Sequence, residues 1–521
     1  MLFLIHFYPP RPPQPARIAK EYPLRCRIFL NMEMPRQPII EELACPPSPL
    51  HALYSLDWQH GGFLLESAQT DGRLGRWSFL GANPFLLVTG KGGRVTIKQN
   101  MTISESVESP FALIKRLLAD FALFRHSNSP PFIGGAVGYF GYDLCQRLER
   151  LPSMALDDLA MNDCSLGLYD VIIAIDHLTK RAFISSCGWP EMDEPARLIR
   201  AQQRLEETKA RLETSIHSSI PSNDESALFG GGIRLQSPPP QSPICNFTHR
   251  DYLRAVEKAK AYIAAGDIYQ VNLSQRFSYP FTASPGDLYQ RLRQVNPAPF
   301  AGLLLNDDSA LVSASPERFL QVRGDWVETR PIKGTRPRGI TPQDDERLAV
   351  ELLTSEKDRA ENVMIVDLER NDLGKVCEYG TVRTTELWAL EKYPTVFHLV
   401  STVEGRLRQG KHAVDCLRAC FPGGSITGAP KVRAMEIIEE LEPTKRGPYT
   451  GALGYLCFSG EMDMNIIIRT FAIKDGMAHY QVGGGIVADS DPEAEYQETL
   501  DKGKALQWAI LKESIKDEGQ P

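Results

Sequence analysis

Residues 248–277, THRDYLRAVEKAKAYIAAGDIYQVNLSQRF, pack a helix and a long strand into one short segment. Tyr252, Val256 and Ala259 recur at helical spacing behind Thr248, whose hydroxyl suits the first-turn N–H groups of a helix. Gly266 ends that helix, and IYQVNLSQRF reads as a strand. A second helix is expected over 285–294. Three strands then follow in succession, over 301–305, 310–314 and 319–322, with no helix between them. Mixed helices and short strands lead on to a last helix from Glu493. This order lacks the regular βαβ alternation of a parallel sheet and predicts an α+β fold.

N-terminal to this segment, residues 218–247 are rich in Ser, Pro and Gly without sustained periodicity, and read as a linker or surface loop. Before it the pattern is strand-rich. GGFLLESA (61–68) and RWSFLGANPFLLVTG (76–90) are apolar runs bounded by glycine, and RVTIKQN (94–100) alternates with period two. A helix is expected over 111–124, a Gly- and aromatic-rich strand pair over 131–144, strands over 168–175 and 181–186, and a charged amphipathic helix over 192–215. The expected division is an unstructured extension over 1–35, an N-terminal domain over 36–217, the linker, and a second domain over 248–515. The extension starts MLFLIHFY, which lacks the basic leader of a signal peptide; Met32 and Met34 are alternative starts. No repeat of solenoid period is present.

A chain of 521 residues exceeds one ordinary core, which supports two domains. A formal net charge of -7 with no long basic run argues against nucleic acid. No apolar stretch approaches the roughly 20 residues of a membrane helix. Ten cysteines are scattered without a CxxC pair, and Cys416 and Cys420 are merely at helix spacing. This favours a reducing, cytoplasmic setting over a disulfide framework or zinc site.

Chemistry concentrates in residues 328–374. ETRPIKGTRPRG (328–339) places Lys333 in a turn marked by Pro331 and Gly334, among Arg330, Arg336 and Arg338. Burial and nearby positive charge would both lower a lysine pKa and free its amine as a nucleophile; a solvated basic loop is the ordinary alternative. Asp358 and Glu361 share a helix face, and Glu495 and Glu498 repeat the spacing on the last helix, with Lys502 one turn beyond. Two such helices suit a magnesium ion between them, although each face alone also reads as solvated. Glu317, at the end of a short strand in SASPERF, suits a general acid if burial raises its pKa, and equally a surface carboxylate. PGGSITGAPK (422–431) lacks the Lys-Ser/Thr pair of a phosphate loop, but its N–H groups suit a carboxylate. QVGGGIVADS (481–490) reads as a second glycine loop, or as a tight turn. His398 alone reads as a core histidine.

In order, GDIYQVNLSQRF, SPERF, RPIKGTRPRG, KDRAENVMIVDLERNDLG, HLVSTVEG, FPGGSITGAPKVRAMEIIEELEP, GYLCFSGEMDMNIIIRT and GGGIVADSDPEAEYQETLDK resemble the chorismate-utilising enzyme family. The resemblance implies two packed antiparallel sheets flanked by helices, built from interleaved N- and C-terminal portions. Isochorismate and salicylate synthases carry a water-activating lysine where Gln270 stands here. Lys333 and GGSITGAPK are similar to the aminodeoxychorismate synthases, whereas anthranilate synthases have alanine at the lysine position. The implied activity is therefore amination of chorismate for 4-aminobenzoate and folate synthesis, with anthranilate synthesis as the alternative. A non-catalytic amino-acid sensor would need none of these residues. Glu361 and Glu498 match the family's magnesium-binding glutamates, with Asp358 and Glu495 beside them. Glu317 matches the acid for the departing hydroxyl and Lys333 the covalent nucleophile. Tyr449, Arg469, Gly483 and Lys502 match substrate-binding positions, and Thr335 and His398 match other pocket positions. No cysteine sits in a class I amidotransferase elbow, so the resemblance implies a separate glutaminase subunit supplying ammonia. LLES, with Ser67, resembles the family's tryptophan-binding module.

Overall fold

Short strands separated by glycine-rich turns assemble into two twelve-stranded sheets in the computed structural model, which describes residues 36–68, 74–217, 243–393 and 396–511. The first sheet runs Ile39–Glu42, Arg181–Ser186, Val171–Asp176, Trp77–Gly81, Phe63–Glu66, Phe300–Leu305, Ser309–Ser315, Thr470–Lys474, Met477–Ile486, Gln270–Pro280, Ile244–Cys245. The second runs Ile332–Pro337, Val396–Arg406, Trp326–Thr329, Arg318–Arg323, Met462–Ile466, Ala452–Cys457, Gly135–Phe140, Cys164–Tyr169, Leu86–Lys91, Arg94–Gln99, Thr102–Ser106. Gly428–Ala429 and Arg383–Lys392 attach at the sides. Neighbouring strands pair antiparallel, and both sheets draw strands from both sides of residues 218–247. The α+β fold of two helix-flanked antiparallel sheets, with interleaved portions, is thus the observed one.

The segment 248–277 forms as its pattern requires. Thr248 Oγ1 accepts from Asp251 N at 3.2 Å and opens helix His249–Ala264. Tyr252, Val256 and Ala259 are fully buried beneath it, and a large apolar side chain so placed contributes about 1.5–3 kcal/mol as an upper figure. Gly266, at φ 81°, turns the chain into strand Gln270–Pro280. Helix Pro492–Leu511 packs against strand Met477–Ile486 and helices Pro285–Val295 and His249–Ala264. Helix Glu356–Gly374 packs against strands Val396–Arg406 and Ile332–Pro337. Among the described residues no helix is long and apolar enough to cross a membrane.

Several local expectations change. Residues 168–175 are not one strand: Cys164–Tyr169 and Val171–Asp176 lie in different sheets, and the chain crosses at buried Asp170. Residues 131–144 give one strand and a 3-10 helix, Tyr142–Arg147, rather than a strand pair. Gly483, Gly484 and Gly485 are not a loop but the C-terminal part of strand Met477–Ile486, opposite Ser274, Leu273 and Asn272. The expected linker ends early, because Ile244–Cys245 pairs with Ser278 and Phe277. Residues 218–242 and the expected 1–35 extension lie outside the described residues.

Candidate active site

The chain passes between the sheets at two points that meet. Glu317 lies between Ser309–Ser315 of the first sheet and Arg318–Arg323 of the second. Arg469 lies between Met462–Ile466 of the second and Thr470–Lys474 of the first. Ile466 N donates to Glu317 O at 3.0 Å, Ala314 N to Arg469 O at 3.1 Å, and Ser315 Oγ to Ile466 O at 2.6 Å. Arg469 has φ 52°, a left-handed conformation that costs a non-glycine residue roughly 1–2 kcal/mol and that the stitched crossing maintains.

Lys333 does not sit in a turn. It belongs to strand Ile332–Pro337, whose register against Val396–Arg406 breaks between Ile332 and Thr335. Gly334 takes φ 83°, and a Cβ there would meet Leu352 Cδ1 at 2.8 Å and Asp358 Cβ at 3.0 Å. This irregularity re-aims one side chain, as bulges do. Lys333 Nζ donates to Ser425 O at 3.3 Å. The Ser425 hydroxyl lies near enough to the Glu317 carboxyl to act to lower its pKa, and Ile332 N donates to Glu317 Oε1 at 3.4 Å. Ser425 thus joins acid and amine, a role its place in GGSIT did not signal.

Burial is the main reason that the Lys333 amine lies below its ordinary range; Lys502 acts in the same direction, while Glu361, Glu317 and Glu498 oppose it. Burial likewise raises Glu317, partly offset by Ser425 and Lys333. The pair is therefore pushed toward a neutral amine facing a protonated carboxyl.

Helices Glu356–Gly374 and Pro492–Leu511 bring their carboxylates to this amine. Asp358 accepts from Arg336 Nη2 at 3.0 Å, and Glu495 Oε1 from Ser490 Oγ at 2.6 Å. Glu361 is raised chiefly by burial, with Asp358 and Glu498 adding to the effect. Burial also acts to raise Glu498, but the charge and hydrogen bond of Lys502, with Lys333 and Lys357, take it below its usual range. A Cβ on Gly484 would stand 3.2 Å from Glu495 Oε2 and 3.3 Å from Glu498 Oε1, so glycine keeps a cradle open there. Among the described residues no group of three or more His, Cys, Asp or Glu converges closely enough to hold a metal. The donor set fits instead a hard cation that takes one or two carboxylates and completes its shell with other oxygens.

The remaining expected residues surround this centre. Lys502 Nζ pairs with Glu498 and donates to Gly483 O at 3.0 Å, and Arg469 Nη1 donates to the Lys502 carbonyl. Arg469 and Tyr449 perturb each other electrostatically. Thr335 Oγ1 and His398 Nδ1 share a 2.9 Å hydrogen bond, and burial, then Arg469, holds His398 down to about 4, so its ring is neutral at pH 7. Gln270 is fully buried beside Gly485, where an added Cβ would meet its Nε2 at 2.5 Å.

Ser67 belongs elsewhere. It is buried just after strand Phe63–Glu66. Leu65 and Glu66 line a cavity of about 810 Å³ formed by both sheets, with Arg76, Trp77, Phe300 and Asp463. Ser67 is not among its lining residues, nor is any residue of the centre around Lys333.

The profile described as chorismate binding enzyme matches residues 63–507. Anthranilate synthase component 1 of Thermus thermophilus is 46% identical over 448 residues, 86% of this chain and 92% of that protein. Aminodeoxychorismate synthase component 1 of Salmonella typhimurium is 41% identical over 441 residues, 84% of this chain and 90% of that protein. The crystal structure of anthranilate synthase component I from Streptococcus pneumoniae superposes with a TM-score of 0.70 at 33% identity, covering 83% of this chain and 92% of that one. With a family match across most of its length, and with relatives of both names at similar identity, the chain belongs to the chorismate-binding enzymes.

Proposed function

We propose that this chain is an aminodeoxychorismate synthase component I, which converts chorismate and ammonia to 4-amino-4-deoxychorismate for 4-aminobenzoate synthesis. One observation carries the reading: Lys333, re-aimed by an irregular strand, has a depressed pKa and shares Ser425 with the buried acid Glu317. An anthranilate synthase needs no nucleophilic amine at that place.

Lys333 Nζ attacks the chorismate ring while Glu317 gives its proton to the departing hydroxyl, which leaves as water. The C–N bond formed replaces the C–O bond broken, and the attacking amine sheds a proton. Ammonia then forms the product C–N bond as the bond to Lys333 breaks; the electron pair of that bond returns to the lysine nitrogen, which takes up the proton that ammonia sheds and is restored as an amine. One difficult substitution is split into two easier ones. Arg469 offers a bidentate fork to a substrate carboxylate, with Tyr449 and Lys502 beside it. Neutral His398, fixed by Thr335, lines the same pocket.

Glu361 and Glu498 would hold a magnesium ion, with Asp358 and Glu495 supporting them. Such an ion supplies charge neutralisation and orientation for a carboxylate. Ammonia would come from a glutaminase subunit in the cytoplasm. The cavity beside Glu66 falls within the roughly 300–1,000 Å³ typical of small-molecule sites and would take tryptophan.

Anthranilate synthesis is the second reading, favoured by the 46% identity to a protein of that name. The test is product identification by mass spectrometry with chorismate, magnesium and an ammonium salt. Amination with the enolpyruvyl group retained supports the proposal; anthranilate with release of pyruvate overturns it.

A further inference from the structure

Eight residues beyond Glu361, and thus about two turns along the same helix, Glu369 points into the protein and is 2% exposed. Its Oε1 accepts from Gly424 N at 3.1 Å, and its Oε2 has no hydrogen-bond partner among the described residues. Gly424 opens the single turn Gly424–Ile426, whose middle residue, Ser425, accepts from Lys333 through its carbonyl and acts through its hydroxyl to lower the Glu317 pKa. A carboxylate received by this glycine-rich segment, at Gly424 N, is therefore the protein's own.

The adjacent cations make their hydrogen bonds to other groups. Lys431 and Lys375 both pair with Asp372, and Lys431 also donates to the carbonyls of Cys420 and Pro422 at 3.0 and 2.8 Å. The fit at the turn is close: a Cβ on Gly424 would lie 3.1 Å from Leu368 Cβ and 3.2 Å from Glu369 Oε1. Burial, then the negative charge of Asp372, pushes Glu369 up to about 7, against the charge of Lys431 and the Gly424 hydrogen bond, which act to lower it.

We propose that Glu369 is a positioning residue: by holding the turn Gly424–Ile426 it sets where Ser425 presents its hydroxyl to Glu317 and its carbonyl to Lys333. The proposal rests on the reading of Glu317 as acid and Lys333 as nucleophile. Nothing in it requires Glu369 to touch substrate.

The test compares Glu369→Ala, Glu369→Gln and Gly424→Ala with wild type. It measures kcat and KM for chorismate, thermal unfolding, and the rate at which an amine-directed acylating reagent labels Lys333. In folded Glu369→Ala, kcat should fall about 10–100-fold with KM nearly unchanged, as expected when reacting groups shift by a fraction of an ångström. Lys333 labelling should change with it. Glu369→Gln, whose amide oxygen can accept from the same N–H, should recover most of both. If Glu369→Ala does not fold, Gly424→Ala crowds the same oxygen from the other side and should give the same loss.

Wild-type kcat and labelling in the folded Ala variant, in Gly424→Ala, or Gln as damaging as Ala, would overturn the positioning role. Wild-type product identity judges the aminodeoxychorismate reading separately. Labelling judges Glu369 whichever product forms.

Discussion

Around the cavity beside Glu66, charge meets charge. Arg318 is bidentate to Asp463 at 3.0 and 2.9 Å and reaches Glu328 at 2.8 Å; Arg76 is bidentate to Asp176 at 3.1 and 2.8 Å; Arg125 donates to Glu461 at 2.9 Å. Lys333 and Glu317 themselves have no ion-pair partner within 4 Å among the described residues. The Lys333 amine binds a carbonyl, Glu317 has a nearby hydroxyl and a long backbone contact, and both are displaced from their usual pKa by burial. Matched charges at the first site hold its walls in shape. Mismatched charges at the second are available to react, at a cost to stability.

The largest expected contrast is in turnover. Lys333→Ala should reduce amination roughly 10³-fold or more while the fold persists, checked by product formation and circular dichroism; near wild-type turnover would reduce Lys333 to a bystander. Glu317→Gln should cost about 10²–10⁴-fold, the usual range for a general acid, read from kcat under saturating chorismate. Glu361→Gln should weaken magnesium binding about tenfold or more, measured by isothermal titration without substrate. In the paired region the loss should be of stability instead: Asp463→Ala should destabilise by about 3 kcal/mol in denaturant unfolding and leave Lys333 labelling unchanged.

The smallest contrast is pH-dependent. The Lys333 amine lies below its ordinary 10.5 in the folded protein, so between its folded value and 10.5 the unfolded chain binds the extra proton. Wild-type stability should therefore rise with pH through that window. Lys333→Met should be the more stable protein near neutrality, with the gain vanishing above 10.5. Glu317 has the opposite sign: raised above 4.5, it should make stability fall as pH rises from 4.5 through its folded value, and Glu317→Gln should flatten that slope. Thermal unfolding across pH checks both.

Local patterns made the helices and most strands readable. Thr248, the buried face of Tyr252, Val256 and Ala259, and Gly266 carry one helix almost entirely in neighbouring residues. What escaped was set by distant parts of the chain. Asp170 interrupts an apolar run without glycine or proline, so nothing local marks the crossing between sheets. Gly483–485 reads as a loop until strand Gln270–Pro280 is laid against it, where glycine admits Leu273 O at 2.5 Å from an added Cβ on Gly483. The carboxylate pairs were visible as helix spacing, but their convergence on Lys333 was implied by family resemblance alone. Glu369 had a usable signal, an acidic residue two four-residue steps from Glu361 on a face that also buries Ile365, yet it reads as surface charge until Gly424 is placed against it.

The central claim is the covalent role of Lys333, and intact-protein mass spectrometry tests it most directly. The chain is mixed with chorismate and magnesium, without ammonia, quenched, and digested to locate any modification. The account predicts an added mass of chorismate less one water, on Lys333, discharged by later ammonium salt. An unmodified chain that still turns over with ammonium, or an adduct on another residue, would contradict it.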